Sequence, residues 1–155
     1  MGSVGVRWGL DEEHRADYAL PGLTQNTWQA GLARVLVGAA VDGEEVVGIS
    51  DAVLTGTLRV VTHPRVFTTP ATVPEAAASI SNLLRHPNVR TLRTLAGHWQ
   101  LVLDLCERAG ATGNLVVDAA HAATAMQHGA TLISDDADFA RFPGLAWRRP
   151  LDPRP

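Results

Sequence analysis

Lysine is missing from this chain: all thirteen basic residues are arginine. The absence bears on one mechanistic class. A phospho-acceptor domain of the receiver type gathers acids at the edge of a parallel sheet, but its chemistry needs a lysine near the phosphoryl group, so that reading ranks low. Cysteine is nearly missing too. With Cys106 alone there is no intrachain disulfide and no zinc site built on several thiolates; the composition fits a reducing compartment. Cys106 falls on an apolar helical stripe, which reads as core rather than nucleophile. No apolar stretch is long enough to span a membrane, and the N-terminus lacks the basic stretch and apolar run of a secretory signal, so the cytoplasm is the expected location. The six histidines show no i, i+4 zinc pair and read as structural or surface residues. There is no G-x-S-x-G elbow, no P-loop, no internal repeat and no low-complexity tract.

What is present points to one globular domain. A chain of 155 residues with 46% hydrophobic content can bury a core without disulfides or a structural metal. The net charge of −3 and pI near 6.0 count mildly against a nucleic-acid binder. Acids gathered into a metal site, however, would lower the net charge without removing a basic face. Val4, Val6, Trp8 and Leu10 alternate as in a strand, and Asp11 to Leu20 reads as a short helix ended by Pro21–Gly22. Trp28, Leu32, Val35, Leu36 and Ala39 recur at helical spacing. Beyond them, short apolar strands at Val46–Ile49, Val89–Leu92, Thr131–Ser134 and Leu145–Trp147 alternate with helices. The first of those helices is capped by Ser50 and runs to about Thr62; the next begins near Pro74. Two more follow, the third closed by Gly110 and the fourth, Leu115 to His128, closed by Gly129. Such alternation predicts a three-layer α/β domain with a mainly parallel central sheet flanked by helices.

In open α/β sheets, ligands bind beyond the carboxyl ends of the strands, so acids just after strands are the first candidates. Asp135, Asp136 and Asp138 follow the strand at Thr131. Their mutual repulsion suits a hard cation with oxygen ligands, and a solvated turn whose aspartates cap the next helix stands as an equal alternative. Asp118 sits among small apolar residues in an Ala-rich helix, where a charge is paired, bound to metal, or on the helix's polar face. Asp51 follows the second strand, where capping and the helix dipole explain an acid without any chemistry.

Three segments in order resemble signatures of the PIN-domain ribonucleases of the VapC toxin type. They are Leu58–Arg59–Val60–Val61–Thr62–His63–Pro64–Arg65–Val66–Phe67, Gly110 through Asp118, and Asp136 through Trp147. The resemblance runs from about residue 46 to 151 and implies a single PIN-like domain over 1–155, with 1–26 atypical and the Pro-rich end at 150–155 frayed. It implies acids converging on one or two Mg²⁺ or Mn²⁺ ions that activate water against an RNA phosphodiester. Asp118 and Asp136 match the family's third and fourth metal acids and become the expected catalytic pair, with Asp138 as support and Asp135 as bystander. Asn114 and Arg59 match recurring positions without an assigned role.

The family's first strand ends in an Asp that has no evident counterpart here. The expected slot falls near residues 11–17, which makes Asp11 the stand-in and Asp17 the next choice; the alternative is that Glu12 to Leu20 matches a later stretch and the first strand is missing. The second acid's slot falls near Gly56, and Asp51, about one turn earlier, takes its place. The implied partners are an RNA substrate, a small antitoxin protein and a second copy in a homodimer, with no membrane. RNA contact would come from arginines, with Arg7, Arg15, Arg59, Arg65, Arg141, Arg148 and Arg149 as candidates. The competing expectation is a catalytically impaired PIN-like protein that keeps the fold and antitoxin binding.

Overall fold

The apolar runs pair into a single parallel sheet. A computed structural model describes residues 3–6, 46–134 and 136–149. Its strands are β1 (Ser3–Val6), β2 (Val46–Ser50), β3 (Val89–Leu92), β4 (Thr131–Ile133) and β5 (Trp147–Arg148). Their order is β3-β2-β1-β4-β5, and every pairing is parallel. The first strand is therefore present, and it is central. The last strand starts later than its apolar residues suggested, because the Leu145 amide is held by the Phe142 carbonyl at 3.3 Å in the preceding turn. The helices expected at Asp11–Leu20 and Trp28–Ala39, and the tail at 150–155, lie outside the described residues.

Four helices connect the described strands: α1 (Asp51–Val61), α2 (Val73–Leu84), α3 (His98–Ala109) and α4 (Asn114–Gln127). Their boundaries are local chemistry. The Ser50 side chain accepts from the Val53 amide at 3.3 Å, and Thr72 and Glu75 form a reciprocal capping box with Pro74 in the first turn. Gly110 ends α3 in the left-handed conformation at φ 59, which only glycine adopts without strain.

Register places the layers. Gly5 pairs with Gly48 on one side and Leu132 on the other, so Gly48 and Leu132 share a sheet face. Val47 and Ile49 must then face the opposite way, where they pack with Val53, Leu54, Leu83 and Leu84 of α1 and α2. Leu132 packs with Val102 and Leu105 of α3 and Ala119, Ala122 and Ala123 of α4. Helices thus cover both faces, as the α/β reading expected. The alanines of α4, fully enclosed at 119, 122 and 123, let that helix approach its neighbours closely.

Gly48 carries a testable constraint. A Cβ there would stand 2.6 Å from Leu92 Cδ1 and 2.7 Å from Leu92 Cγ. Gly48→Ala is expected to destabilise the fold by about 1–3 kcal/mol in urea titration through this overpacking. A change below about 0.5 kcal/mol would show that Leu92 yields freely.

Candidate metal centre

The chain reaches the site twice, once along α4 and once off the end of β4. Gly113, at φ 57, turns the backbone into α4. One turn later comes Asp118, only 2% exposed and flanked along the helix by the buried Leu115, Ala119 and Ala122. Enclosing a carboxylate this fully is costly unless positive charge or donors meet it. The reading of Asp118 as a solvated residue on a polar helix face does not hold.

After β4 the chain passes through Ser134, 4% exposed, to Asp136 and a short 3₁₀ helix, η1 (Ala137–Arg141). Several bonds fix this corner. The Asp136 amide donates to Ser134 Oγ at 3.2 Å, and the Asp138 amide donates to Asp136 Oδ1 at 2.9 Å. Trp147 Nε1 donates to the Ser134 carbonyl at 3.0 Å, tying the corner to β5. Arg141 donates to the Ala109 carbonyl at 2.9 Å and stands 3.9 Å from Asp138 Oδ1, so η1 is roped to the end of α3. Phe139 and Phe142 anchor it from below.

The result is a convergence. Ligand oxygens of Asp118, Asp136 and Asp138 lie within 4.8 Å of one another. Asp118 is buried, Asp136 half-buried and Asp138 exposed, so the cluster is a buried floor opening to solvent at the carboxyl edge of the sheet. Among the described residues, no histidine or cysteine belongs to the group. An all-oxygen, triply acidic donor set fits a hard divalent cation such as Mg²⁺ or Mn²⁺ better than Zn²⁺ with its nitrogen and sulfur ligands.

The other expected site residues fall elsewhere. Asp51 opens α1, exposed, and is not in the three-acid group. Asn114 and Arg59 are exposed on α4 and α1. β1 ends at Val6 and the next residue in sequence is Arg7, so the strand does not run directly into an acid. Asp11, Asp17 and Asp135 lie outside the described residues.

Beside the acids is a cleft of about 420 Å³, bounded by the ends of β2 and β3 and by α4. Asp51, Leu92, Arg93, His98 and His121 are among the residues that line it. Asp51 thus faces a neighbouring cavity. His98 and His121, read from sequence as structural or surface residues, share that wall, and Arg93 was not among the arginines singled out. No spacing signal could have found them, because they come from a loop and two different helices.

Comparison with known proteins follows the same lines. The family described as RecBCD enzyme subunit RecC fourth domain matches residues 1–131, a span that includes Asp118 and stops before Asp136. Ribonuclease VapC43 of Mycobacterium tuberculosis is 40% identical over 119 residues, covering 77% of this chain and 81% of its own length. Ribonuclease VapC33 of the same organism is 34% identical over 111 residues, 72% of this chain and 78% of its own. Among solved structures, VapBC2 from Rickettsia felis bound to a promoter DNA fragment superposes with a TM-score of 0.57 at 15% identity, covering 94% of this chain and 98% of that one. At that identity the likeness is one of fold.

Proposed function

The chain belongs to the VapC-type PIN-domain family, with residues 1–131 also falling in the family described as the RecC fourth domain, and from that premise we propose that it is a divalent-cation-dependent endoribonuclease, the toxin of a toxin–antitoxin pair. The observation that carries the proposal is the meeting of Asp118, Asp136 and Asp138 within 4.8 Å at the sheet's carboxyl edge. Asp118 and Asp136 are the principal ligands and Asp138 supports them. A bound Mg²⁺ or Mn²⁺ would supply Lewis-acid charge at the phosphodiester and a more acidic water. The chain's part is to hold the oxygens still. Asp118 is fixed by burial in α4, Asp136 by its amide on Ser134, and Asp138 by its amide on Asp136. The half-open floor admits a polymer from the solvent side.

The antitoxin belongs to the same reading, supported by the VapC relatives and by the likeness to VapBC2. Trp99 and Leu103, one turn apart on α3 and 60% and 50% exposed, offer an apolar strip for a protein partner, whether antitoxin or second copy.

Purified protein is expected to cut single-stranded RNA with Mg²⁺ or Mn²⁺ and to stop in EDTA. Folded protein that leaves every tested RNA intact with either cation sinks the proposal. One observation favours a second reading. The residue after β1 in sequence is Arg7 where the family resemblance implies an acid, and among the described residues three carboxylates meet where the resemblance implies four. An impaired PIN-like binding protein would then show weak or absent metal binding in calorimetry with antitoxin binding retained; affinity of an intact four-acid site would exclude it.

A further inference from the structure

None of the three converging carboxylates lines the cleft beside them, and hydrogen bonds fix its wall. The segment after β3 carries Arg93 and Thr94 into it. Two residues at the end of α4 hold that segment. Gln127 Oε1 accepts from the Leu95 amide at 3.3 Å, and Gln127 Nε2 donates to the Ala96 carbonyl at 3.0 Å. His128 Nε2 donates to the Arg93 carbonyl at 2.8 Å.

These contacts also place a proton. The backbone amide and carbonyl on either side of Gln127 fix which end of its amide is oxygen, since the flipped orientation would set donor against donor and acceptor against acceptor. His98 Nδ1 stands 2.9 Å from that oxygen, so Nδ1 must carry the proton. In the neutral form of the ring Nε2 is then the hydrogen-bond acceptor, and the ring lines the cleft. Asp51 adds a second acceptor to the same wall, and Arg93 supplies a cation. Acceptors for a neutral, donor-bearing group beside one cation for an anion match a ribonucleotide: a 2′-hydroxyl and base edge next to a phosphate.

Topology says which nucleotide. Val117 and His121 of the cleft flank Asp118 on α4. Asp136 and Asp138 follow β4, while the cleft lies beyond β2 and β3, two and three places along the sheet. At strand spacings of about 4.8 Å the strand ends that border the cleft are roughly 10–14 Å from the one that precedes Asp136 and Asp138, while Val117 and His121 bring its near wall up to Asp118; the span suits a nucleotide next to the one at the acids, on the same strand. We propose that this cleft is a subsite for an unpaired ribonucleotide flanking the scissile bond, in which Arg93 binds its phosphate, His98 Nε2 accepts from its 2′-hydroxyl, and Gln127 acts as a positioning residue that fixes the His98 tautomer. The proposal rests on the ribonuclease reading.

The test separates the two. Binding of a labelled single-stranded oligoribonucleotide is measured by anisotropy in EDTA, where no turnover occurs, beside the DNA of the same sequence. Wild type is expected to favour RNA. Arg93→Ala should weaken both by about tenfold, and His98→Ala should weaken RNA alone by a similar factor, erasing the preference. Nitrogen NMR should show His98 protonated at Nδ1 in wild type, and Gln127→Leu should lose that signature and the RNA preference, whereas Gln127→Glu, which keeps the acceptor, should retain the signature. Mn²⁺ affinity by calorimetry should stay within about twofold in all four variants, confirming an intact fold and metal site. Wild type that does not distinguish RNA from DNA, or variants that bind as wild type does, overturns the subsite even if the protein cuts RNA. A protein that binds as expected but never cuts overturns the ribonuclease reading and leaves the cleft a site for an unpaired ribonucleotide with no scissile bond beside it.

Discussion

Asp118→Asn is expected to lower metal-dependent RNA cleavage by at least about a thousandfold, equivalent to about 4 kcal/mol of transition-state stabilisation, while leaving the metal-free protein folded. Both halves follow from the same geometry. Asp118 is the one fully enclosed carboxylate of the three, so no solvent-side group can swing in to replace it. Asparagine keeps its shape and one oxygen but removes one of three repelling charges held within 4.8 Å. The metal-free protein keeps its packing, and for that reason asparagine is a cleaner test than alanine, which would open a cavity. The readout beyond activity is thermal. A cation at about one hundred times its Kd stabilises the wild-type fold by about 2.7 kcal/mol, a rise in Tm of roughly 5–10 °C for a chain of this size. In Asp118→Asn the rise should vanish. A variant that cuts at the wild-type rate, or keeps the full thermal shift, removes Asp118 from the metal site.

Much of this architecture was legible because it is local. Ser50, Pro74 and Gly110 act on the backbone within a few residues of themselves, and each marks a boundary where the structure has one. The burial of Asp118 was legible in its apolar neighbours. What could not be read is long-range. Asp51 is expected from its place after a strand as a substitute for the second metal acid, and β2 delivers it to the wall of the cleft rather than into the three-acid group. The first strand was weakly signalled because Gly5 interrupts it, and its central place depends on pairing with β2 and β4, more than forty residues away. The clamp made by Gln127 and His128 joins residues 29 to 35 positions apart, and no periodicity encodes such a contact.

The second large effect should come from a residue that touches no metal. Phe139 is 1% exposed, and its ring packs 6.1 Å from that of Phe142 at 52°. The two phenylalanines are three positions apart, the spacing that brings side chains to one side of a 3₁₀ turn, and together they press η1 onto α3 and α4. Phe139→Ala is expected to cost about 3–5 kcal/mol, a large part of the roughly 5–15 kcal/mol that holds a domain folded. The loss should also reach the site. η1 begins at the Asp136 cap and carries Asp138, whose amide bond to Asp136 helps aim both carboxylates. Without the ring beneath it, η1 is free to shift, and a displacement on the order of 1 Å is enough to spoil a reacting geometry. Mn²⁺ titration of the folded protein at low temperature, beside urea unfolding, separates the two effects. Affinity per folded molecule should fall about tenfold or more in Phe139→Ala, comparable to removing a residue that orients a metal ligand. Phe139→Leu, which keeps most of the volume, should recover most of the affinity and lose only about 1–1.5 kcal/mol of stability. If Phe139→Ala is destabilised yet binds Mn²⁺ as tightly as wild type, the hydrogen bonds at Ser134 and Asp136 alone aim the acids, and the aromatic anchor serves stability only.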